Sequence, residues 1–119
     1  MKNRIAVIGA GTYGAHVLNV LSSSAQTGDI DLVAVADIDP VRLGQAGRTY
    51  GIRGYLSYED MLDKEQPDAV AVVTPDYLHR DVTLAATRRK VHVLCQKPIA
   101  TDSREGREMI DAAARAGIL

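Results

Sequence analysis

The stretch Arg4-Ile5-Ala6-Val7-Ile8-Gly9-Ala10-Gly11-Thr12-Tyr13-Gly14 decides the reading of this 119-residue chain. Arg4 to Ile8 is a short, nearly continuous apolar run, the signature of a strand buried on both faces. From Gly9 the spacing is Gly-x-Gly-x-x-Gly. Thr12 to Ser24 then reads as a helix, with Val17, Leu18 and Leu21 on one face. Such a glycine pattern is a weak signal alone and a meaningful one between a strand and a helix. Gly9 allows the tight turn, Gly11 lets a pyrophosphate approach the backbone, and Gly14 lets helix and strand pack closely. The N–H groups near Thr12 and Tyr13, with the helix dipole, favour an anion. A glycine-rich turn with no ligand is the alternative.

Working outward, Asp31 to Ala36 reads as a second strand. Asp39-Pro40 starts a helix, with Asp39 as N-cap and Pro40 in the first turn, and Gly51 stops it. Tyr55-Leu56 is a candidate short strand. Ser57 and Asp60 have capping-box spacing for a short helix through Lys64. Asp68 to Val73 is the third main strand, Asp76 to Arg89 a helix with Val82, Ala85 and Ala86 inward, and Val91 to Cys95 the fourth main strand. Thr101 or Asp102 caps a last helix that ends at Gly117 and carries an apolar stripe of Met109, Ile110, Ala113 and Ala114. Strands alternating with helices imply a parallel sheet covered on both faces. The fold class is therefore α/β, a Rossmann-like doubly wound parallel sheet truncated after the fourth main strand and its helix. The main strands are expected in the order 3-2-1-4.

Composition narrows the function classes. Fourteen Lys and Arg against fifteen Asp and Glu give a net charge of −1, without the basic footprint that nucleic-acid binding needs. One cysteine leaves no internal disulfide framework and no multi-Cys zinc site, and points to a reducing, cytoplasmic compartment. Residues 5 to 28 carry no Asp, Glu, Lys or Arg, yet their apolar run is only Ile5 to Ile8. Neither a secretory leader nor a membrane span is expected there. The three scattered histidines suggest no metal site.

Asp37 ends the second strand, 23 residues after Gly14. An acid there accepts hydrogen bonds from the ribose hydroxyls of an adenosine and repels a 2′-phosphate, which favours NAD over NADP. A turn acid with no ligand is the plainer reading. Arg42 lies near enough to pair with a phosphate, although a solvated helix arginine is the simpler role.

Two later segments carry a specific resemblance. Val72-Val73-Thr74-Pro75-Asp76-Tyr77-Leu78-His79 is a strand end, a proline turn and a helix start. Val93-Leu94-Cys95-Gln96-Lys97-Pro98-Ile99-Ala100 is a strand end followed by Lys-Pro. With the glycine loop and Asp37, the chain resembles, over essentially its whole length, the N-terminal NAD(P)-binding domain of the glucose-fructose oxidoreductase / inositol dehydrogenase family (Gfo/Idh/MocA). The resemblance implies that Gly9, Gly11, Thr12, Tyr13 and Gly14 line the pyrophosphate. It implies that Asp37, Thr74, Pro75, Asp76, His79, Gln96 and Pro98 also border the cofactor, and that Lys97 is the catalytic or substrate-orienting residue. It implies an oxidoreductase that moves a hydride between nicotinamide and a hydroxyl-bearing carbon of a sugar, cyclitol or related small metabolite.

Gln96 stands where the family has Glu, which leaves the protonation of Lys97 open, and Asp76 stands where it has Asn. The family's second, substrate-binding domain is missing from these residues. The chain is therefore expected to be part of a longer protein and not catalytic by itself. A non-catalytic nucleotide sensor is an alternative, as is a Rossmann domain for coenzyme A or S-adenosylmethionine. Val91, Val93 and Cys95 are expected on an exposed sheet edge that invites pairing with a second copy. His79 either meets the ligand or bonds locally. Cys95 is a buried small hydrophobe or, beside Lys97, a reactive thiol. Glu59, Asp60, Asp63 and Glu65 are read as a solvated helix face.

Overall fold

The computed structural model describes residues 3–28, 30–75, 78–95 and 103–118, apart from the side chains of Thr12 and Tyr13. Strands and helices alternate along the chain. They are β1 (Asn3–Ile8), α1 (Thr12–Gln26), β2 (Ile30–Ala36), α2 (Pro40–Tyr50), β3 (Arg53–Tyr55), α3 (Tyr58–Glu65), β4 (Ala69–Val72), α4 (His79–Arg88), β5 (His92–Cys95) and α5 (Ser103–Ala116). The boundaries follow local chemistry. The Asp39 carboxylate accepts Val41 N–H and Pro40 opens α2, while Gly51, at φ 66°, ends it in the left-handed region. The Ser57 hydroxyl accepts Asp60 N–H at the start of α3.

The strands form one parallel sheet in the order β3-β2-β1-β4-β5. Period-two alternation sends neighbouring residues to two separate cores. Ala6, Ile8, Ala34, Ala36, Val70 and Val72 face Met61 and Leu62 of α3 and Val82, Ala85 and Ala86 of α4. Val7, Val35 and Ala71 face Leu18 of α1 and Ala46 of α2. That two-sided burial is why the strands read as unbroken Val/Ala/Ile runs.

Four expectations are corrected. The main strands lie in the order 2-1-3-4, not 3-2-1-4. The short β3 occupies the outer edge of β2, with Ala34 opposite Arg53, so β4 returns to the free side of β1. Right-handed crossovers in opposite directions then put α1 and α2 on one face and α3 and α4 on the other. Val91 is 3% exposed, and Val93 and Cys95 pack against the α3/α4 core. It is the backbone of β5 and the side chain of Leu94 that mark the edge. In α5, Gly106 and Met109 are buried, but Ile110 is 59% exposed and Ala114 is exposed. The helix packs on α4, partly through the two Arg80–Glu108 hydrogen bonds at 2.9 and 2.7 Å, and not along a wide apolar stripe.

The fourth correction is Glu65, which is buried. Its carboxylate gathers Arg4 Nη2 at 3.1 Å, Tyr55 OH at 2.6 Å and Arg53 Nε at 3.2 Å, and Arg4 also donates to its main-chain carbonyl. Buried carboxylates persist where such partners replace water. The hub ties β1, β3 and α3 together.

Candidate functional site

The site lies beyond the carboxyl ends of β1, β2 and β4. Successive connections leave β1 in opposite directions there, which opens a crevice. A cavity of about 540 Å³ occupies it, lined among others by Gly9, Gly11, Gly14, Asp37, Arg42, Thr74 and Pro75. That volume suits a nucleotide-sized ligand.

The glycines differ in what they are for. Gly9 has φ 106°, and a Cβ there would stand 2.7 Å from the Val73 carbonyl oxygen. A Cβ on Gly14 would stand 2.2 Å from the carbonyl oxygen of Gly9. Both are required by the protein's own packing. Gly11 is not, because it has φ −68° and a Cβ there would meet nothing nearer than the Arg42 guanidinium at 3.7 Å. Gly11 is also the N-cap of α1 and offers no side chain to the first-turn N–H groups, and no acidic residue lies in that turn. The positive end of the helix therefore faces the cavity with no acidic residue in its own first turn.

Asp37 joins β2 to the glycine turn. Its Oδ2 accepts Ala10 N–H at 2.7 Å, its Oδ1 accepts Asp39 N–H at 2.8 Å, and its own N–H donates to Tyr55 O at 3.0 Å. The side chain is 6% exposed, and Arg42 Nη1 lies 3.8 Å from Oδ2. Carboxylate oxygens carry two acceptor positions each, so capacity remains toward the cavity. Arg42 also sits 3.7 Å from Asp39 and lines the cavity, which the solvated-helix reading did not anticipate.

On the β4 side, Thr74 and Pro75 form the wall. The Thr74 hydroxyl is buried with no hydrogen-bond partner among the described residues. His79 is 1% exposed and does not line the cavity, and its Nε2 lies 2.9 Å from the Thr74 carbonyl. Of the two readings of His79, the local bond is what the structure displays. The Cys95 thiol is pushed above its ordinary pKa by burial, partly offset by the Thr83 hydroxyl, which disfavours a reactive thiolate. Asp76, Gln96, Lys97 and Pro98 lie outside the described residues, as do the side chains of Thr12 and Tyr13.

Sequence reasoning missed the apolar wall. Ile38 is 87% and Leu56 60% exposed, and both line the cavity with Tyr58 and Leu78. Burial pushes the Tyr58 phenol above its ordinary pKa, aided by Glu59 and Asp81 and opposed by Arg88 and Arg89. The available signal was an apolar residue within two positions of each strand end, at Ile38 and Leu56. Among the described residues, no group of three or more His, Cys, Asp or Glu could hold a metal ion, and no helix is long and apolar enough to cross a membrane.

An anion-receptive helix end, a fixed acid and an apolar wall, set at the switch point of a doubly wound sheet, define a nucleotide-binding α/β fold. The family model described as "Oxidoreductase family, NAD-binding Rossmann fold" matches residues 3–119, and the chain belongs to that family. It is 33% identical over 117 residues to inositol 2-dehydrogenase of Arthrobacter sp. (strain FB24), covering 96% of this chain and 34% of that protein. It is 37% identical over 118 residues to D-glucoside 3-dehydrogenase of Escherichia coli (strain K12), covering 96% and 32%. The crystal structure of the WlbA dehydrogenase from Chromobacterium violaceum, in complex with NADH and UDP-GlcNAcA, superposes with a TM-score of 0.91 at 32% identity. That match covers 98% of this chain and 33% of the WlbA chain. The chain thus spans about a third of the length of the relatives it matches.

Proposed function

We propose that residues 1–119 form the cofactor-binding domain of a longer oxidoreductase and take NAD in preference to NADP. The carrying observation is Asp37. Two backbone amides hold its carboxylate in place, so it cannot turn aside to admit a 2′-phosphate. The first turn of α1, with Gly9, Gly11, Thr12, Tyr13 and Gly14, would hold the pyrophosphate. Ile38 and Leu56 would cover an apolar ring face, Thr74 and Pro75 would close the opposite wall, and by the family resemblance Asp76 would border the cofactor. NAD supplies the hydride-accepting chemistry, while the protein binds and orients it. Inositol, glucoside and nucleotide-sugar relatives support a hydroxyl-bearing sugar, cyclitol or related metabolite as the substrate class.

By the family resemblance, Lys97, set between Gln96 and Pro98, orients the reacting hydroxyl or holds its proton. The chain leaves β5 at Cys95, paired with Val72, at the same end of the sheet as the cavity. We place the protein in the cytoplasm, in keeping with its lone cysteine. We propose that residues 1–119 taken alone self-associate through β5, the outer strand among the described residues.

Calorimetric titration with NADH and NADPH in parallel tests the cofactor reading. Saturable NADH binding with weaker NADPH binding is expected, and no heat with either nucleotide overturns it. In the longer protein, Lys97→Ala is expected to abolish turnover while NADH affinity is kept. Loss of affinity instead would remove Lys97 from the chemistry.

A further inference from the structure

Among its described residues, the β4–α4 turn is tied by a small set of backbone bonds. Pro75 has no N–H to give, and Leu78 N–H donates to Pro75 O at 3.0 Å. At its base, Val73 N–H donates to Ile8 O at 2.9 Å. Yet the turn must hold a close fit. It packs over Gly9 so tightly that a Cβ there would lie 2.7 Å from Val73 O and 3.0 Å from Thr74 N. A small outward movement of the turn would shift the whole β4 wall of the cavity.

His79 adds a side-chain tie. It stands in the first turn of α4, 1% exposed, and its Nε2 is 2.9 Å from Thr74 O. The ring is buried and does not line the cavity. Burying a ring this polar is costly unless its hydrogen bonds are made, so the bond and the burial require each other.

We infer that His79 is a positioning residue: its ring holds the Thr74 carbonyl toward α4 and thereby sets Thr74 and Pro75 against the glycine turn for the dinucleotide. The inference rests on the proposed NAD site. It assigns His79 no contact with NAD.

The test compares His79→Leu, which fills the space without a hydrogen bond, with His79→Gln, whose amide reaches a similar point. Folding is checked by circular dichroism, NADH affinity by calorimetry, and the tie itself by amide hydrogen exchange at Val73 and Gly9. Folded His79→Leu is expected to exchange those amides faster and to bind NADH about tenfold more weakly, with His79→Gln restoring both. Unchanged exchange overturns the tie. Faster exchange with unchanged NADH affinity overturns the positioning role. Wild-type chain that binds no NADH overturns the site reading instead, and the exchange data still judge the tie. Should His79→Leu not fold, the Gln variant decides alone: wild-type exchange and affinity uphold the inference, and weakened NADH binding with wild-type exchange overturns it.

Discussion

The carboxylate of Asp37 accepts the N–H of Ala10 at 2.7 Å, across 27 residues of chain. One acid therefore shapes the glycine turn and faces the cavity. In Asp37→Asn one oxygen becomes an NH₂ group set against a backbone donor, and the negative charge is lost. Stability is expected to fall by about 1–3 kcal/mol in urea unfolding. Calorimetry is expected to show the preference for NADH over NADPH shrinking by about tenfold, chiefly through weaker NADH binding. An unchanged ratio would remove Asp37 from cofactor selection.

Gly11 and Gly14 make a paired experiment. A Cβ at 14 collides with the Gly9 carbonyl at 2.2 Å, whereas one at 11 has only ordinary contact with Arg42 at 3.7 Å. Gly14→Ala is expected to destabilise the chain by about 1–3 kcal/mol, the range for overpacking. Gly11→Ala is expected to melt within a few degrees of wild type and to lose NADH binding. Tight NADH binding by Gly11→Ala would show that the space above Gly11 is not the pyrophosphate path.

Glu65 joins three elements from a position where its side chain is 3% exposed, while its partners Arg4 and Arg53 are 39% and 76% exposed. Removing it returns the arginines to water but strands the Tyr55 hydroxyl. Glu65→Ala is expected to cost about 2–3 kcal/mol in chemical denaturation, below the figure for a fully buried pair. NADH affinity, measured where the variant is still folded, should change little.

Tyr55 donates to Glu65 at 2.6 Å. That bond, then burial and the Glu65 charge, hold its pKa above 10.0, against a smaller opposing pull from Arg53. The folded state keeps this proton longer than the unfolded state. The contribution is therefore complete below about pH 10 and is lost as pH rises through the folded pKa. In an ultraviolet titration of the folded chain, Tyr55→Phe is expected to delete a late-titrating phenol. It should also weaken the alkaline fall in stability. Loss of an ordinary phenol instead would contradict the Glu65 bond.

β5 is the last strand in the sheet order, and Leu94 on it is 74% exposed. For residues 1–119 taken alone, sedimentation is expected to show self-association that rises with concentration and is reduced by Leu94→Lys. A monomer at high concentration would dismiss the edge as a contact.

Much of this protein was legible in local sequence. The β1 run, the Gly9-x-Gly11-x-x-Gly14 spacing, the Asp39-Pro40 start, the Gly51 stop and the Ser57 cap all appear where expected. Each depends on a backbone requirement settled within a few residues, such as a positive φ, a missing N–H or a side chain that caps the next turn. The partners of Asp37 and Arg42 were only half visible, because proximity in sequence does not say which way a side chain turns.

The remaining features were decided by tertiary structure. β4 lies beside β1 because the three-residue β3 had already taken the edge of β2. Glu65, read as one more acid on a wet helix, meets Arg4 from 61 residues away and is drawn inside. His79 turns from the cavity to the Thr74 carbonyl, and Ile38 and Leu56 become a wall only when two strand ends stand side by side. The sequence by itself determined the elements and the glycine turn, since these answer to neighbours along the chain. Topology alone decided which charges are buried and which apolar residues face a ligand, since those answer to neighbours in space.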